Sequence, residues 1–250
     1  MESNIRVRSA QAIGRSHLLG GKNRQDALKT GMVEVDGEKI VYGVICDGCS
    51  EGETSEVGAN LATSFIGRQI EILVKSHISL DRIPWILHKR TVGFLKDILG
   101  KISFDSPNAR VLYIKNNLLF TILGFIYTER ETLIFAQGDG DTVVNDELTI
   151  RDENNIPRYI GYSLVERKFL SSNASPVQTD FDVFYLNGES FNRLAIASDA
   201  LSEEPSFLVD LWGHINPIGL QRRVNVWSLV NHKFQDDLSI ITLEKIPKEE

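Results

Sequence analysis

Four places in this 250-residue chain put a carboxylate at the end of an apolar run. Asp47 closes "VYGVIC", Asp199 closes "RLAIAS", Asp139 follows "TLIFAQG", and Asp236 and Asp237 stand immediately before "LSIITL". A carboxylate at a strand end rests on a rigid scaffold yet points to its rim, and a small residue after it lets a carbonyl or a ligand approach closely. Were such groups to converge with no cation among them, mutual repulsion would raise some of their pKa values. Hard divalent cations, which take oxygen ligands, would relieve that repulsion. Two such ions sharing one bridging carboxylate would also hold and acidify a water, giving a hydroxide able to attack phosphorus in line. Singly, each aspartate reads as an ordinary turn or cap residue; the context they share argues for a common site.

The stretch "ICDGCSEG" raises a second chemistry, because Cys46 and Cys49 have C-x-x-C spacing. A structural zinc site needs about four ligands, and the chain has no second cysteine pair and no H-x3-5-H to complete one. A thioredoxin-like pair opens a helix inside a βαβ unit, whereas helical periodicity here starts several residues later. Alternation puts Cys46 on the face of Tyr42 and Val44, a buried position. Asp47, between the thiols, is therefore the working residue. Two cysteines so close together provide no disulfide framework, and a reducing cytoplasm is the expected compartment.

The elements that must position these aspartates can be read from the same rows. "IRVRSAQAIG" alternates at period two and predicts an opening strand. "GRSHLLGGKNRQDA" reads as a Gly-rich polar loop. Asp36-Gly37 is the turn pair of a hairpin that spans "GMVEVDGEKIVYGVICDG". From Glu53 the period changes: Val57, Leu61, Phe65, Ile66, Ile70 and Leu73 line one helix face, with Thr54 or Ser55 as its cap. A second helix is predicted over Ile83–Leu99, with Pro84 in its first turn. Two apolar strands follow, "LLFTILGFIYT" and "TLIFAQ", and "GDGD" turns into the strand "TVVND". Residues 147–176 read as surface loops and a flap. "FNRLAIASDAL" is a buried strand running into a turn, after which Ser202 caps a helix with Glu203 and Glu204 in its first turn. "NPIGLQRRVNVWSLVN" reads as a late helix, "DDLSIITLEK" as a last strand and "PKEE" as a solvated tail. His77, His88, His214 and His232 read as surface or interhelical residues, and Trp85, Trp212 and Trp227 as core. The chain is expected to be a single α+β domain over 1–250, without repeats.

Bulk properties narrow the function. A net charge of −7 with no Lys/Arg run excludes a non-specific nucleic-acid binder. The longest apolar run, 118–127, is too short to cross a membrane, and the opening "MESNIRVRSA" has no apolar signal-peptide region. No nucleic-acid or membrane partner is expected.

"NRQDA" at 23–27, "ICDGCSEG" around Asp47-Gly48, "QGDGD" at Asp139, "ASDAL" at Asp199 and "QDDLSII" at Asp236 occur in the order of the metal-dependent (PPM-type, or type 2C) serine/threonine phosphatases, and the chain resembles that family over nearly its whole length. "GRSHLLGGKNRQDA" is similar to its divergent bacterial branch. The resemblance implies a four-layer α-β-β-α sandwich, two antiparallel sheets flanked by helices. It implies that Asp47 bridges two metal ions, Mn2+ or Mg2+, that Asp199 and Asp236 complete the first, and that the Gly48 carbonyl joins the second. Asp26 would orient a metal-bound water, and Asp139 would belong to a third, weaker metal position. The implied substrate is phosphoserine or phosphothreonine in a protein, within a signalling system with a cognate kinase, and the chain is expected to act as a monomer.

Three departures leave alternatives open. Gln25 stands where the family usually has an acid, and Cys49 where better-known members have a proton-donating histidine. The phosphate-binding arginine expected five residues before Asp26 is replaced by Gly21, so Lys22, Arg24, Arg15 or His17 would have to take the phosphate. His17 is open to two readings: phosphate binding or proton transfer as a catalytic residue, or hydrogen bonding to loop backbone. The family reading therefore competes with a pseudophosphatase that binds or senses, and with a hydrolase of small phosphate esters built on the same site.

Overall fold

Each sheet of this protein is covered on both faces, which is why its central strands are apolar without interruption. The computed structural model describes residues 4–153, 156–170 and 177–246. One antiparallel sheet runs in the order β1 (Asn4–Ala12), β10 (Leu238–Ile246), β9 (Arg193–Ala197), β6 (Gly140–Val144), β7 (Glu147–Arg151). The other runs β2 (Ala27–Val35), β3 (Glu38–Cys46), β4 (Ile122–Tyr127), β5 (Glu131–Gln137), β8 (Asp182–Asn187).

Period-two alternation sorts the side chains into three cores. Val41 and Ile45 of β3, Leu123 and Phe125 of β4 and Ile134 of β5 meet Leu194 and Ile196 of β9 and Ile241 and Leu243 of β10 between the sheets. The alternate residues Tyr42, Val44, Cys46, Ile122, Ile126 and Phe135 face outward, under α2 (Glu56–Lys75) and α3 (Ile83–Leu99). On the opposite side Ala195, Ala197, Leu238 and Ile240 pack with Leu220 and Val224 of α6 (Gly219–Asn225). The layers are therefore helix, sheet, sheet, helix, an α+β architecture. Each fully buried Leu, Ile or Phe contributes about 1.5–3 kcal/mol.

The hairpin turn is where the sequence puts it: Asp36 (φ 53°) and Gly37 (φ 82°) are both left-handed, as a two-residue primed turn requires. Helix α3 covers the predicted residues with Pro84 in its first turn. Other expectations are corrected. "GRSHLLGGKNRQDA" is not all loop, since α1 (Arg15–Gly20) forms within it and ends on left-handed Gly21. Along α2, Val57 and Leu61 are exposed, and the buried face begins instead with Gly58, Ala59 and Ala62. A Cβ at Gly58 would lie 2.3 Å from the Asn117 carbonyl oxygen, so close approach rather than hydrophobicity selects that face. Ser55 stands at the N-cap of α2, one of the two positions predicted, but no side chain caps the helix there: Thr54 Oγ1 donates to Asn117 Oδ1, and Ser55 Oγ donates to the Cys49 carbonyl.

Helix α4 (Pro107–Asn117) has no apolar stripe, with Ile114 its one buried residue, so hydrophobic periodicity missed it. Its cap signal, Ser106 Oγ accepting from Ala109 N ahead of Pro107, is present. The segment expected as flap contains β7 and two 3-10 turns, Ile160–Leu164 and Arg167–Phe169, and buries Ile160 and Leu164 in the core under α2 and α3. Residues 154–155 and 171–176 of it, and the tail 247–250, lie outside the described residues. The late helix is shorter than expected, α6 giving way to a π-turn over Val226–Val230. Ser202 lies inside α5 (Ala200–Glu203) rather than capping it. Trp85 is half exposed beneath the Lys89 ammonium, not core, while His88 is buried against Phe181.

Two glycines test this packing in opposite directions. Gly58→Ala should cost about 1–3 kcal/mol by overpacking, lowering the melting temperature by roughly 3–10 °C. A Cβ at Gly93 in α3 would meet no neighbouring atom within 4 Å, so Gly93→Ala should raise stability by about 0.5–1 kcal/mol through helix propensity. Thermal melts of both variants check the pair.

Candidate metal centre

The antiparallel registers bring the aspartates to one end of the sandwich. Ala27 pairs with Cys46, so Asp26 and Asp47 sit side by side just beyond the paired ends of β2 and β3. Ile240 pairs with Ala197, and Ser198 N donates to the Ser239 carbonyl, which sets Asp199 next to Asp236 and Asp237. Asp141 pairs with Ala197, and the left-handed glycines Gly138 and Gly140 turn the chain so that Asp139 joins the same rim. At Gly48 an isolated bridge to Phe120 is flanked by bonds from Thr121 N to the Asp47 carbonyl and from Cys49 N to the Leu119 carbonyl. Gly48's own amide and carbonyl therefore face away from Phe120. A Cβ there would lie 2.7 Å from both the Gln25 carbonyl and Ser55 Oγ, so only glycine permits this approach.

This placement has electrostatic consequences. Burial first, then the charges of Asp26, Asp199 and Asp236, push the Asp47 carboxyl well above the usual range. Burial, and then Asp237, does the same to Asp26; burial, and then Asp236, raises Asp199. Asp139 is raised to about 6, chiefly by burial, and lies within reach of Asp199. Asp141 is raised to about 7, again chiefly by burial. Among the described residues no lysine or arginine pairs with Asp26, Asp47, Asp139, Asp199 or Asp236. The buried Asp26 carboxylate lies against Asp47, Ser198 and Ser239 without an aligned hydrogen bond to either oxygen; the Oε1 of buried Gln25 is without a hydrogen-bond partner, while Gln25 Nε2 donates to the Gly52 carbonyl. Carboxylates, an amide oxygen and a backbone carbonyl form an all-oxygen donor set, short of positive charge, which fits a hard divalent cation.

Of the residues singled out by sequence, Asp26, Asp47, Gly48, Asp199 and Asp236 come together, with Asp139 beside Asp199. His17 is buried, its Nδ1 3.0 Å from Asp237 Oδ2 and 3.7 Å from Asp236 Oδ1. Of the other cations considered for phosphate, Lys22 Nζ donates to the Ser50 carbonyl, three residues past Asp47. Arg24 Nε donates to the Asp26 carbonyl, and Arg15 donates its backbone N–H to the Phe234 carbonyl. Sequence reasoning gave no role to Asp141, although it lies in the quoted "GDGD" motif, and it named Asp237 beside Asp236 without assigning it a role of its own. It also missed Tyr159, whose phenol is pushed up by burial and then by the neighbouring Cys49 and Asp47. Cys46 and Cys49 are free thiols.

These shifts fix a sign. An aspartate whose folded pKa exceeds its unfolded value of about 3.9 favours folding less as pH rises through the folded pKa. With divalent ions chelated, stability should therefore fall between pH 5 and pH 7.5, the range that contains the Asp139 and Asp141 values. Melting in chelator across that range should show the decline, and Mn2+ at pH 7.5 should reverse it. Metal-free Asp47→Asn should melt no lower than the wild type, because it removes a repelled charge. A flat profile would contradict the account.

Comparison with known proteins gives an independent answer. The family described as "Protein phosphatase 2C" matches residues 13–223, a span that stops short of Asp236. Among curated protein sequences none matches. The fold is similar to that of a bacterial serine phosphatase, at 14% identity and TM-score 0.66 over 99% of this chain and 100% of that one. It is also similar to the serine/threonine phosphatase Stp1 from Staphylococcus aureus, at 14% identity and TM-score 0.60 over 99% and 97%. A third similar fold is the catalytic domain of the serine threonine protein phosphatase PstP, solved in complex with two manganese ions, at 11% identity and TM-score 0.57 over 97% and 99%. With a sandwich of the expected layers, an acidic rim in the expected order and a family match over most of its length, the chain belongs to the protein phosphatase 2C family of PPM-type serine/threonine phosphatases.

Proposed function

We propose that the protein hydrolyses phosphoserine and phosphothreonine in proteins, using two divalent cations held at the acidic rim. The observation that supports this most directly is the convergence of buried Asp26 with the part-buried Asp47, Asp199 and Asp236, which have no lysine or arginine to neutralise them among the described residues. Asp47, Asp199, Asp236 and the Gly48 carbonyl would hold the ions, with Asp139 at a third, weaker position. When bound, such ions supply charge neutralisation at phosphorus and acidify the attacking water.

The chain's own residues do the rest by position. Asp26, its carboxylate buried beside Asp47, accepts a hydrogen bond from the attacking water and orients it towards the substrate. Lys22, anchored by the Ser50 carbonyl, uses its remaining N–H groups to hold a phosphate oxygen. Gln25 contributes its free Oε1 as a neutral donor, which weakens the second ion relative to an acid without removing it. The scaffold of strand ends keeps these groups fixed, so catalysis comes from placement and charge rather than from a covalent phosphoenzyme.

In excess Mn2+ the protein should hydrolyse p-nitrophenyl phosphate, and Asp47→Asn should lower kcat at least 100-fold, on the order of losing a principal electrostatic group. Equal rates for the two proteins would favour a binding or sensing module instead. A panel of phosphopeptides and small phosphate esters separates a protein substrate from a small one. Lys22→Ala should raise KM by roughly fivefold, as for an exposed charge contact worth about 1 kcal/mol, and leave kcat nearly unchanged. An unchanged KM would move the phosphate contact to Arg24.

A further inference from the structure

The segments that supply the acidic rim come from opposite ends of the chain, and one side chain outside the expected ligand set joins them. Asp237 is buried. Its Oδ1 accepts from Gly14 N at 2.7 Å and its Oδ2 from Gln25 N at 2.5 Å. His17 Nδ1 lies 3.0 Å from the same Oδ2, a close contact without the alignment of a hydrogen bond. The backbone of Asp237 reaches the third segment, since its carbonyl accepts from Ser198 Oγ and its N–H donates to Asp236 Oδ1. The approach is close throughout: a Cβ at Gly14 would lie 2.4 Å from the Asp236 carbonyl carbon, and Arg15 N and Ser16 N donate to the Phe234 and Gln235 carbonyls.

We propose that Asp237 is a positioning residue that locks Gln25–Asp26, His17 and Asp236 into register at the rim, and that it is not itself a metal ligand. This inference rests on the phosphatase reading of the same site. His17, Asp236 and Asp237 do present ligand atoms within 4.8 Å of one another, the spacing of a metal triad. The two backbone N–H groups aimed at Asp237, however, already use one acceptor site on each of its oxygens. They also require a carboxylate: an amide at this position would turn an NH2 donor against one of those N–H donors. His17 is held against Asp237 as part of the same lock, which places it as a support of Asp236 rather than as a phosphate ligand.

Asp237→Asn, similar in shape, tests this in the full chain by calorimetry with Mn2+ and by kinetics with p-nitrophenyl phosphate. Loss of a residue that orients metal ligands weakens binding by about 10- to 100-fold. The Mn2+ dissociation constant should rise by that factor with the number of bound ions unchanged. At limiting Mn2+ kcat should fall while KM stays within about twofold, and saturating Mn2+ should restore most of the turnover. Loss of one ion from the stoichiometry would make Asp237 a ligand and overturn the proposal. A lower melting temperature with unchanged Mn2+ affinity would overturn it as well, leaving only a structural bond. Should the asparagine variant fail to fold, His17→Gln breaks the imidazole contact alone and should weaken Mn2+ binding in the same direction; no change there is equally fatal. A wild-type chain that binds Mn2+ yet hydrolyses nothing sinks the phosphatase reading instead, and the binding comparison still judges Asp237.

Discussion

Negative charge concentrated without a counter-charge is the constraint on which this structure turns. Two carboxylates about 5 Å apart repel by roughly 3 kcal/mol at an effective dielectric of about 20. Asp47 faces three others, Asp26, Asp199 and Asp236. Several such terms together approach the whole stability of a domain, about 5–15 kcal/mol. A fold that keeps these groups together must take up protons or bind cations there. Protons relieve the repulsion only by silencing the carboxylates, whereas dications relieve it and leave them as ligands.

The sandwich is well suited to hold such a cluster. Both sheets are packed on two faces, so the strand ends that bear Asp47, Asp199 and Asp236 are fixed by Val44, Ile196 and Ile240 deep in three separate cores. Where the chain leaves those strands, small residues let segments touch: Gly48 against Gln25 and Ser55, Gly14 against Asp236. Asp237 then ties the N-terminal segment to the last strand through Gly14 and Gln25. The rim is thus assembled from distant stretches, and its accuracy depends on backbone contacts as much as on the acidic side chains.

Much of this was legible in the sequence, for identifiable reasons. A carboxylate at the end of an apolar run marks a strand terminus wherever it occurs, so Asp47, Asp139, Asp199 and Asp236 could be found by context alone. The Asp36-Gly37 turn and helix α3 follow from strong local signals. What failed was whatever tertiary contact decides. The buried face of α2 is set by Gly58 meeting Asn117, which no hydrophobic count reveals. Helix α4 buries so little that its periodicity is faint, and edge strand β8 exposes Phe184 and Tyr185. Trp85 was expected inside and lies half outside. The tie made by Asp237 escaped, though the residue itself stands out beside Asp236, because its partners are backbone amides more than 200 residues away in the chain.

The departures at Gln25 and Cys49 change the chemistry at the margins of the rim and leave its centre intact. Gln25 keeps an oxygen free, and Cys49 sits beside the Tyr159 phenol rather than in open solvent. The central claim is that the rim exists to hold dications, and diffraction at the manganese absorption edge from crystals grown with Mn2+ tests it most directly. The account predicts two anomalous peaks flanking the Asp47 carboxylate, one of them in contact with Asp199 and Asp236. A map with no peak at that rim, from crystals shown to contain Mn2+ in the mother liquor, would contradict it.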